Sequence, residues 1–365
     1  MSRPIRIALL FWADDSNTTL SYQHGWPKAF LESPRFSCLP INLAGRGWAG
    51  KAEVMAALLK GGFEAIVIMH SCFSNQQNIR HLLLWVLSRC PQPKAYFIGN
   101  EYKLMPEKMA FCRRAGISLL LSQSNDERVL EMYRQELGCR VASIPNTGLD
   151  TATFYPVTSL SERDIDIGFR AYEAPLYMGN NEKPEISEYF NARAVELGLR
   201  VDISLDPKDR FDAKGYAAFL NRCRGQLGTE SGGEFFELTD ETRHRVNAYE
   251  KAHPQATWPE IKAKFFDAYE GPRVPMRVIS GRQVEAAACK TVQILFTGRY
   301  NGYFRPDEHY IPLEKDFSNV DDVVRKLRDD AYCARVVDAA YEMAMSELTY
   351  DRLISRLADL MSDIV

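Results

Sequence analysis

The chain has 365 residues, with 45 Lys plus Arg against 48 Asp plus Glu, a formal charge of −3. That length exceeds one small core and points to two domains. The near-neutral balance supplies no global field for nucleic acid or an anionic membrane, and the aromatic-rich composition excludes disorder. No apolar run approaches the ~20 residues of a membrane-spanning helix. The run 7–12 is too short for a secretion signal. Eight cysteines lie singly, without a C-x-x-C pair, which argues against a zinc site and for reduced thiols in the cytoplasm.

In chain order, residues 5–11 read as a buried strand and 53–59 as a helix. Strands at 65–69, 95–98 and 118–121 alternate with helices at 76–87 and 106–114. Ser124 and Glu127 form a capping-box pattern for the next helix, whose apolar face is Val129, Met132, Tyr133 and Leu137 and whose stop is Gly138. Residues 141–144 close the series as a strand. Such alternation implies a parallel sheet covered on both faces.

Residues 147–163 lose periodicity and hold turn signals, so they read as an interdomain connection. A second series follows, with a strand at 164–169, a helix carrying Ile186, Phe190, Ala194 and Leu197, and an alternating strand at Val201, Ile203 and Leu205. A helix at 213–223, a short strand at 226–227, a helix at 282–288 and a strand at 291–296 continue it. Residues 238–271 are charged and helical in composition and read as an insertion, and residues from 320 onward as helices. Two doubly wound domains in series leave a cleft at the carboxyl ends of their strands, where ligands of such sheets bind.

Two segments carry a resemblance. Ile144-Pro145-Asn146-Thr147-Gly148-Leu149-Asp150, continuing to Phe154-Tyr155-Pro156, resembles the I-P-N-G-V-D-x-x-x-F-x-P signature of GT-B glycosyltransferases, with Thr147 inserted. Ser280-Gly281-Arg282-Gln283-Val284-Glu285-Ala286-Ala287-Ala288 resembles the N-x-R-x-F-E-A-x-A segment of group-1 and CgeB-like glycosyltransferases. Glu308-His309-Tyr310-Ile311-Pro312-Leu313, Phe317-Ser318-Asn319 and Tyr350-Asp351-Arg352 are similar to later segments of that group. The resemblance implies an α/β GT-B fold of two Rossmann-like doubly wound domains facing a cleft, with a C-terminal helical tail crossing back. Its boundaries here are an acceptor-binding domain over 1–155, a nucleotide-sugar domain over 156–335 with the insertion near 238–271, and tail helices over 336–365 packing on the first domain. It implies a hexosyltransferase-like enzyme moving a sugar from a nucleotide-diphosphate donor to a hydroxyl of a glycan or lipid-linked acceptor, in polysaccharide or cell-surface glycan synthesis. No cofactor or metal is expected, no nucleic-acid partner, and a location in the cytoplasm or at the inner face of the membrane.

The resemblance also directs attention to particular residues. Glu285 is expected to grip the donor ribose, since a carboxylate accepts two hydroxyl hydrogens; the plainer reading is a carboxylate complementing a helix dipole. Arg282, one turn earlier, could hold a diphosphate bidentately or form a surface pair with Glu285. Arg170, after the strand and beside Gly168, is a phosphate candidate or a solvated arginine. Thr229, Ser231 and Gly232 sit in a Gly-rich turn that would cradle an oxyanion if a helix began after it. Thr291 ends the second motif.

For the base there are three candidates: His70 at a strand end, His24 after the first strand, and Glu101 in Asn100-Glu101-Tyr102. His70 resembles the D-V-V-H-x-H strand end of many GT-B enzymes, with Glu64 in place of the Asp. Trp12, Tyr22, Trp26 and Trp48 suit stacking on sugar rings or the core equally. The residue eight before Glu285 is Arg277, where retaining relatives carry a glutamate. The departures at Thr147, at Arg277 and in the strand before His70 favour a catalytically idle nucleotide-sugar-binding scaffold as an alternative, and the Arg282/Glu285 pattern leaves a sugar-nucleotide epimerase of GT-B fold open as another.

Overall fold

The computed structural model describes residues 3–14 and 21–365. Its first half alternates β1 (Ile5–Phe11), α1 (Ser21–Glu32), β2 (Phe36–Asn42), α2 (Trp48–Lys60), β3 (Ala65–Ile68), α3 (His81–Arg89), β4 (Lys94–Phe97), α4 (Met105–Ala115), β5 (Leu119–Ser122), α5 (Glu127–Leu137) and β6 (Arg140–Ser143). The strands pair in parallel in the order β2-β1-β3-β4-β5-β6. Period-two alternation divides the core between the two faces of this sheet. Ala8, Leu10, Ile66, Ile68, Tyr96 and Leu120 face α2 to α5. Ile7, Leu9, Ala65, Val67, Ala95 and Phe97 face the opposite way.

Two of these elements had no counterpart in the sequence reading. α1 carries Gly25 and Pro27, which blur its helical pattern. β2 carries Pro40 and lies at the sheet edge, where a missing N–H is tolerated. The cap of α5 is Asp126, whose carboxylate accepts from the Arg128 N–H, rather than Ser124; the Ser124 hydroxyl accepts from the Asp126 N–H one step earlier.

The second half contributes β7 (Ile165–Arg170), α6 (Glu182–Arg193), β8 (Val201–Ser204), α7 (Ala213–Arg222), β9 (Cys223–Gly228), β10 (Ser231–Gly233), α8 (Glu241–Ala252), α9 (Trp258–Ile261), β11 (Met276–Val278), α10 (Gly281–Ala288), β12 (Val292–Phe296), β13 (Ile311–Leu313), α11 (Val320–Arg328), α12 (Asp330–Glu347) and α13 (Tyr350–Ser362). A parallel sheet runs β13-β12-β9-β7-β8, and β10 and β11 form a separate antiparallel pair. That pair corrects the expectation for the Gly-rich turn: no helix follows Gly233 directly, the next beginning at Glu241, so the turn is not the start of a helix. Gly232 is in a left-handed conformation, and a Cβ there would collide with the Met276 carbonyl at 1.8 Å.

The chain crosses between the halves twice. The second crossing comes at 348–349, after α12, so α12 belongs with the second half and α13 alone returns. Leu353, Ile354, Leu357 and Met361 of α13 fill the core beneath β1, β3 and β4. The two crossings touch: the Leu149 N–H donates to the Leu348 carbonyl at 2.8 Å. A Cβ on Gly148 would lie 2.5 Å from the Tyr350 ring, which ties the glycine of the first motif to the aromatic residue that opens the last helix. Among the described residues no helix is long and apolar enough to cross a membrane.

Candidate functional site

The carboxyl ends of both sheets face one open cleft of about 220 Å³. The first half supplies Asn100, Glu101 and Tyr102 after β4, Gln123 after β5, and Asn146 and Thr147 after β6. The second half supplies Arg170 and Tyr172 after β7, Lys183 from α6, Arg210 and Asp212 before α7, Glu230 and Ser231 after β9, and Ser280, Gly281, Arg282 and Glu285 from the start of α10.

The second-half wall gathers the cations Arg170, Lys183, Arg210 and Arg282, with the carboxylates Asp212, Glu230 and Glu285 among them. Lys183 is buried, and its Nζ stands 4.1 Å from the Tyr172 ring centroid, while the Arg210 guanidinium lies 5.6 Å from the same ring. Burial, and then the neighbouring charge of Arg282, lowers the Lys183 pKa to about 7. The Nε of Arg282 is buried without a hydrogen-bond partner. Cations crowded together with unmet donors form a site prepared for an anion. The α10 N-terminus adds to it. Ser280 and Gln283 form a capping box there, and residues 280–282 line the cleft, so the positive end of the helix dipole faces inward.

Arg170 lines the same cleft with a guanidinium already engaged. It donates to the Asp202 carboxylate at 2.6 Å and the Asp202 carbonyl at 2.8 Å, and rests on Phe219 with 4.5 Å to the ring centroid. It braces the wall, and Lys183 and Arg210 present the charge; neither of those two was singled out in the sequence. Glu285 is buried beside Gly281. A Cβ on Gly281 would lie 3.2 Å from Thr147 Oγ1 and 3.4 Å from Glu285 Oε1, so these three residues meet where the halves join. Thr147 Oγ1 is buried with no hydrogen-bond partner, so the residue read as a departure from the first motif sits in the site as an unmet hydroxyl.

Glu101 reaches the cleft, but its carboxylate turns inward. It accepts from Ser122 Oγ at 2.7 Å, Tyr133 OH at 2.7 Å and the Gln123 N–H at 2.8 Å. Burial is the largest influence on it and raises its pKa. The loop that carries it is held by Lys108, whose ammonium donates to the carbonyls of Gly99 (2.6 Å), Asn100 (2.9 Å) and Lys103 (2.7 Å).

Gly232 lines the cleft beside Ser231, whereas His70, His24, Gly168, Thr229 and Thr291 stand outside the lining. His70 is buried, and desolvation lowers its pKa to about 4. A Cβ on Gly99 would lie 3.0 Å from His70 Cβ, so His70 packs beneath the Glu101 loop. His24 is half-buried within α1. Gly168 is a packing residue, since a Cβ there would lie 2.3 Å from Cys223 Sγ. Thr229 is buried, with its hydroxyl on the Glu230 carbonyl, while its own carbonyl takes the Gln283 side chain at 3.1 Å. Thr291 precedes β12 at the opposite edge of the sheet, bonded to Arg163 Nη1 and the Leu220 carbonyl, both at 2.9 Å. Trp26 is core, its Nε1 donating to the Asn146 carbonyl at 2.9 Å. Trp12 and Trp48 stand outside the lining, and the Tyr22 side chain lies outside the described residues. The aromatics that do line the cleft are Tyr102, Phe154, Tyr172, Phe211 and Tyr216.

Direct bonds span the two halves beside the cleft. Asn125 Nδ2 donates to the Asn301 carbonyl at 2.9 Å, and Arg299 pairs with Asp126 at 2.9 Å. Asp240, in the helical insertion, caps α4 of the first half, accepting from the Leu104 N–H at 2.6 Å and the Met105 N–H at 3.3 Å. Phe236 packs edge-on against Tyr133 at 5.0 Å.

Neither a protein-family model nor a curated protein matches the chain. Solved structures do. A sucrose-phosphate synthase from Thermosynechococcus elongatus is similar at TM-score 0.52 and 12% identity over 98% of each chain. Anabaena Alr3699/HepE in complex with UDP is similar at TM-score 0.54 and 11% identity, over 98% of this chain and 100% of that one. The same protein in complex with UDP-glucose gives 0.52 and 12% over the same spans. At these identities the likeness shows the fold: two facing α/β halves in the GT-B arrangement.

Proposed function

We propose that the chain is a glycosyltransferase that moves a sugar from a nucleoside-diphosphate donor to a hydroxyl of a glycan or lipid-linked acceptor. The observation that carries this is the cluster of Lys183, Arg210 and Arg282 beside the α10 N-terminus, opposite a polar wall whose one carboxylate, Glu101, is engaged inward, in a GT-B cleft. HepE was solved with UDP and with UDP-glucose, which supports a uridine diphosphate sugar as donor.

In this reading the diphosphate lies against Lys183, Arg210 and the amides that open α10, and Glu285 and Thr147 receive ribose or sugar hydroxyls at the junction of the halves. The bond from the anomeric carbon to the β-phosphate oxygen breaks as the acceptor oxygen attacks. The charge growing on the departing phosphate is met by cations already in place, each worth about 10²–10³ in rate. Among the described residues, the one carboxylate that the first half contributes to the lining is Glu101, engaged inward. In this reading the acceptor proton passes to the departing phosphate oxygen on the same face of the sugar, giving retention. No metal is needed, because side-chain cations supply the neutralising charge.

The test is incubation with a panel of nucleotide sugars, with and without glycan acceptors. Nucleotide release with glycosylated acceptor supports the proposal. An isomerised donor without nucleotide release would assign an epimerase, and binding without turnover would assign an idle scaffold.

A further inference from the structure

The first half carries a surface that the cleft does not explain. On α2, Trp48, Ala52, Ala56 and Leu59 recur at helical spacing, and on α3 Leu82, Trp85 and Arg89 do the same. All are exposed, with Trp48 at 83%, Leu59 at 56%, Leu82 at 52% and Trp85 at 50%. The two helices pack side by side over one face of the first sheet: Val54 and Leu58 of α2 share a core with Leu84 and Leu87 of α3, and Cys90 Sγ contacts the Leu58 carbonyl. Each helix therefore buries one flank and leaves the other, apolar, flank facing out. A patch of large apolar side chains on a folded surface marks an interaction site.

The charges around the patch indicate what it meets. Lys51, Lys60, Arg80 and Arg89 are exposed beside it, and Glu53 is the one exposed carboxylate on these two helices. Among the described residues none of the four cations forms an ion pair, although elsewhere on the surface arginines are repeatedly paired with carboxylates, as Arg113 is with Glu136 and Arg222 with Asp164. Arg89 lies over the Trp85 ring at 5.5 Å, placing a cation directly beside an exposed indole. Exposed indoles and leucines with basic side chains beside them form the kind of amphipathic surface that lies on an anionic bilayer. The chain's overall charge of −3 conceals this local excess of positive charge.

We infer that the α2–α3 face docks the protein onto an anionic lipid surface. Both helices begin at the carboxyl edge of the sheet, so docking sets the first-half wall of the cleft beside the bilayer. The argument does not use the sugar-transfer reading, and nucleotide binding measured on the same variants keeps the two apart.

The experiment is sedimentation of the full chain with vesicles of equal parts phosphatidylcholine and phosphatidylglycerol, or of phosphatidylcholine alone. The expected result is capture by the anionic vesicles only, reversed by raised salt, with a blue shift of tryptophan emission. The variants Trp48→Ser/Trp85→Ser and Lys51→Glu/Arg89→Glu each lower the bound fraction at least about tenfold while UDP binding by calorimetry is unchanged. Absence of vesicle capture, or capture that survives both variants, overturns the inference. Concentration-dependent self-association that is lost in Trp48→Ser/Trp85→Ser, without vesicle capture, gives the face to a second copy of the chain instead.

Discussion

Asn301 Nδ2 donates to the Gln123 carbonyl at 2.8 Å, joining the loop after β12 to the loop after β5 at the edge of the cleft. The same side chain accepts from the Ile279 N–H at 2.7 Å, so one amide closes the cleft and orders the approach to α10. Asn301 has φ 53°, a left-handed conformation that Asn tolerates better than most residues. Asn301→Ala strands a buried N–H and strains the backbone, and the expected cost is about 2–3 kcal/mol in urea unfolding. Asn301→Gly relieves the backbone strain and not the hydrogen bonds, so it recovers only part of that loss. Full recovery by glycine would mean that the bonds between the halves contribute nothing.

Lys183 gives a proton-linked prediction. Its pKa near 7 means that the free protein holds it largely neutral at pH 8. An anion placed against it favours the ammonium and raises the value, so binding takes up a proton from the buffer. Calorimetry with UDP at pH 8, in two buffers of different ionisation enthalpy, is expected to report uptake that fades below pH 7, where Lys183 is already charged. Lys183→Met abolishes the uptake and weakens binding by about 1.5–3 kcal/mol. Equal heats in both buffers would remove Lys183 from the anion site.

Glu285 and Thr147 are expected to act on the same ligand from opposite sides of the junction. Glu285→Ala weakens UDP affinity about tenfold or more, the value of a charged hydrogen bond, with circular dichroism unchanged. Thr147→Val keeps the shape and removes the unmet hydroxyl. Its effect is expected only where the ligand carries the hydroxyl that Thr147 meets, so comparing UDP with UDP-glucose assigns the contact to ribose or to sugar.

How much of this could be read in the sequence follows from where each signal lives. The strands of both sheets are period-two or continuous apolar runs, so β1, β3, β5 and β12 were legible from local pattern alone. Arg282 and Glu285 were legible because one helical turn carries both. Lys183 and Arg210 were not: Lys183 opens α6 and Arg210 lies in the loop before α7, and only the parallel order β9-β7-β8 brings them around Tyr172. Thr291 failed for the complementary reason. It lies next to the motif in sequence but at the amino edge of β12, a strand length away from the ligand side. His70 has the right strand-end position, and its burial beneath Gly99 depends on a loop from a different strand.

Metal dependence is expected to be absent. The cleft places Lys183, Arg210 and Arg282 where a divalent ion would otherwise balance a diphosphate. Turnover measured in excess chelator is expected to match that in buffer within about twofold, while Arg210→Met lowers it at least about tenfold. Complete loss of turnover in chelator, restored by magnesium, would show that the arginines are insufficient and that the donor arrives as a metal complex.

Glu101 separates a positioning role from a chemical one. Its carboxylate satisfies two hydroxyls and a backbone N–H, so Glu101→Ala leaves three buried donors without partners and is expected to cost about 3 kcal/mol or more in unfolding. Glu101→Gln can keep its oxygen on the Gln123 N–H and turn its amide toward the hydroxyls, which rotate to accept. It is expected to fold and to keep kcat within about tenfold; a general base replaced by an amide loses about 10²–10⁴. The pH dependence gives a second readout. Burial raises the Glu101 pKa above its unfolded value, so its contribution to stability is full below the unfolded pKa and is lost as pH rises through the folded one. Glu101→Gln cannot ionise, so its melting temperature relative to the parent is expected to improve from mildly acid to neutral pH. A kcat loss beyond about a hundredfold with unchanged stability would make Glu101 the base after all.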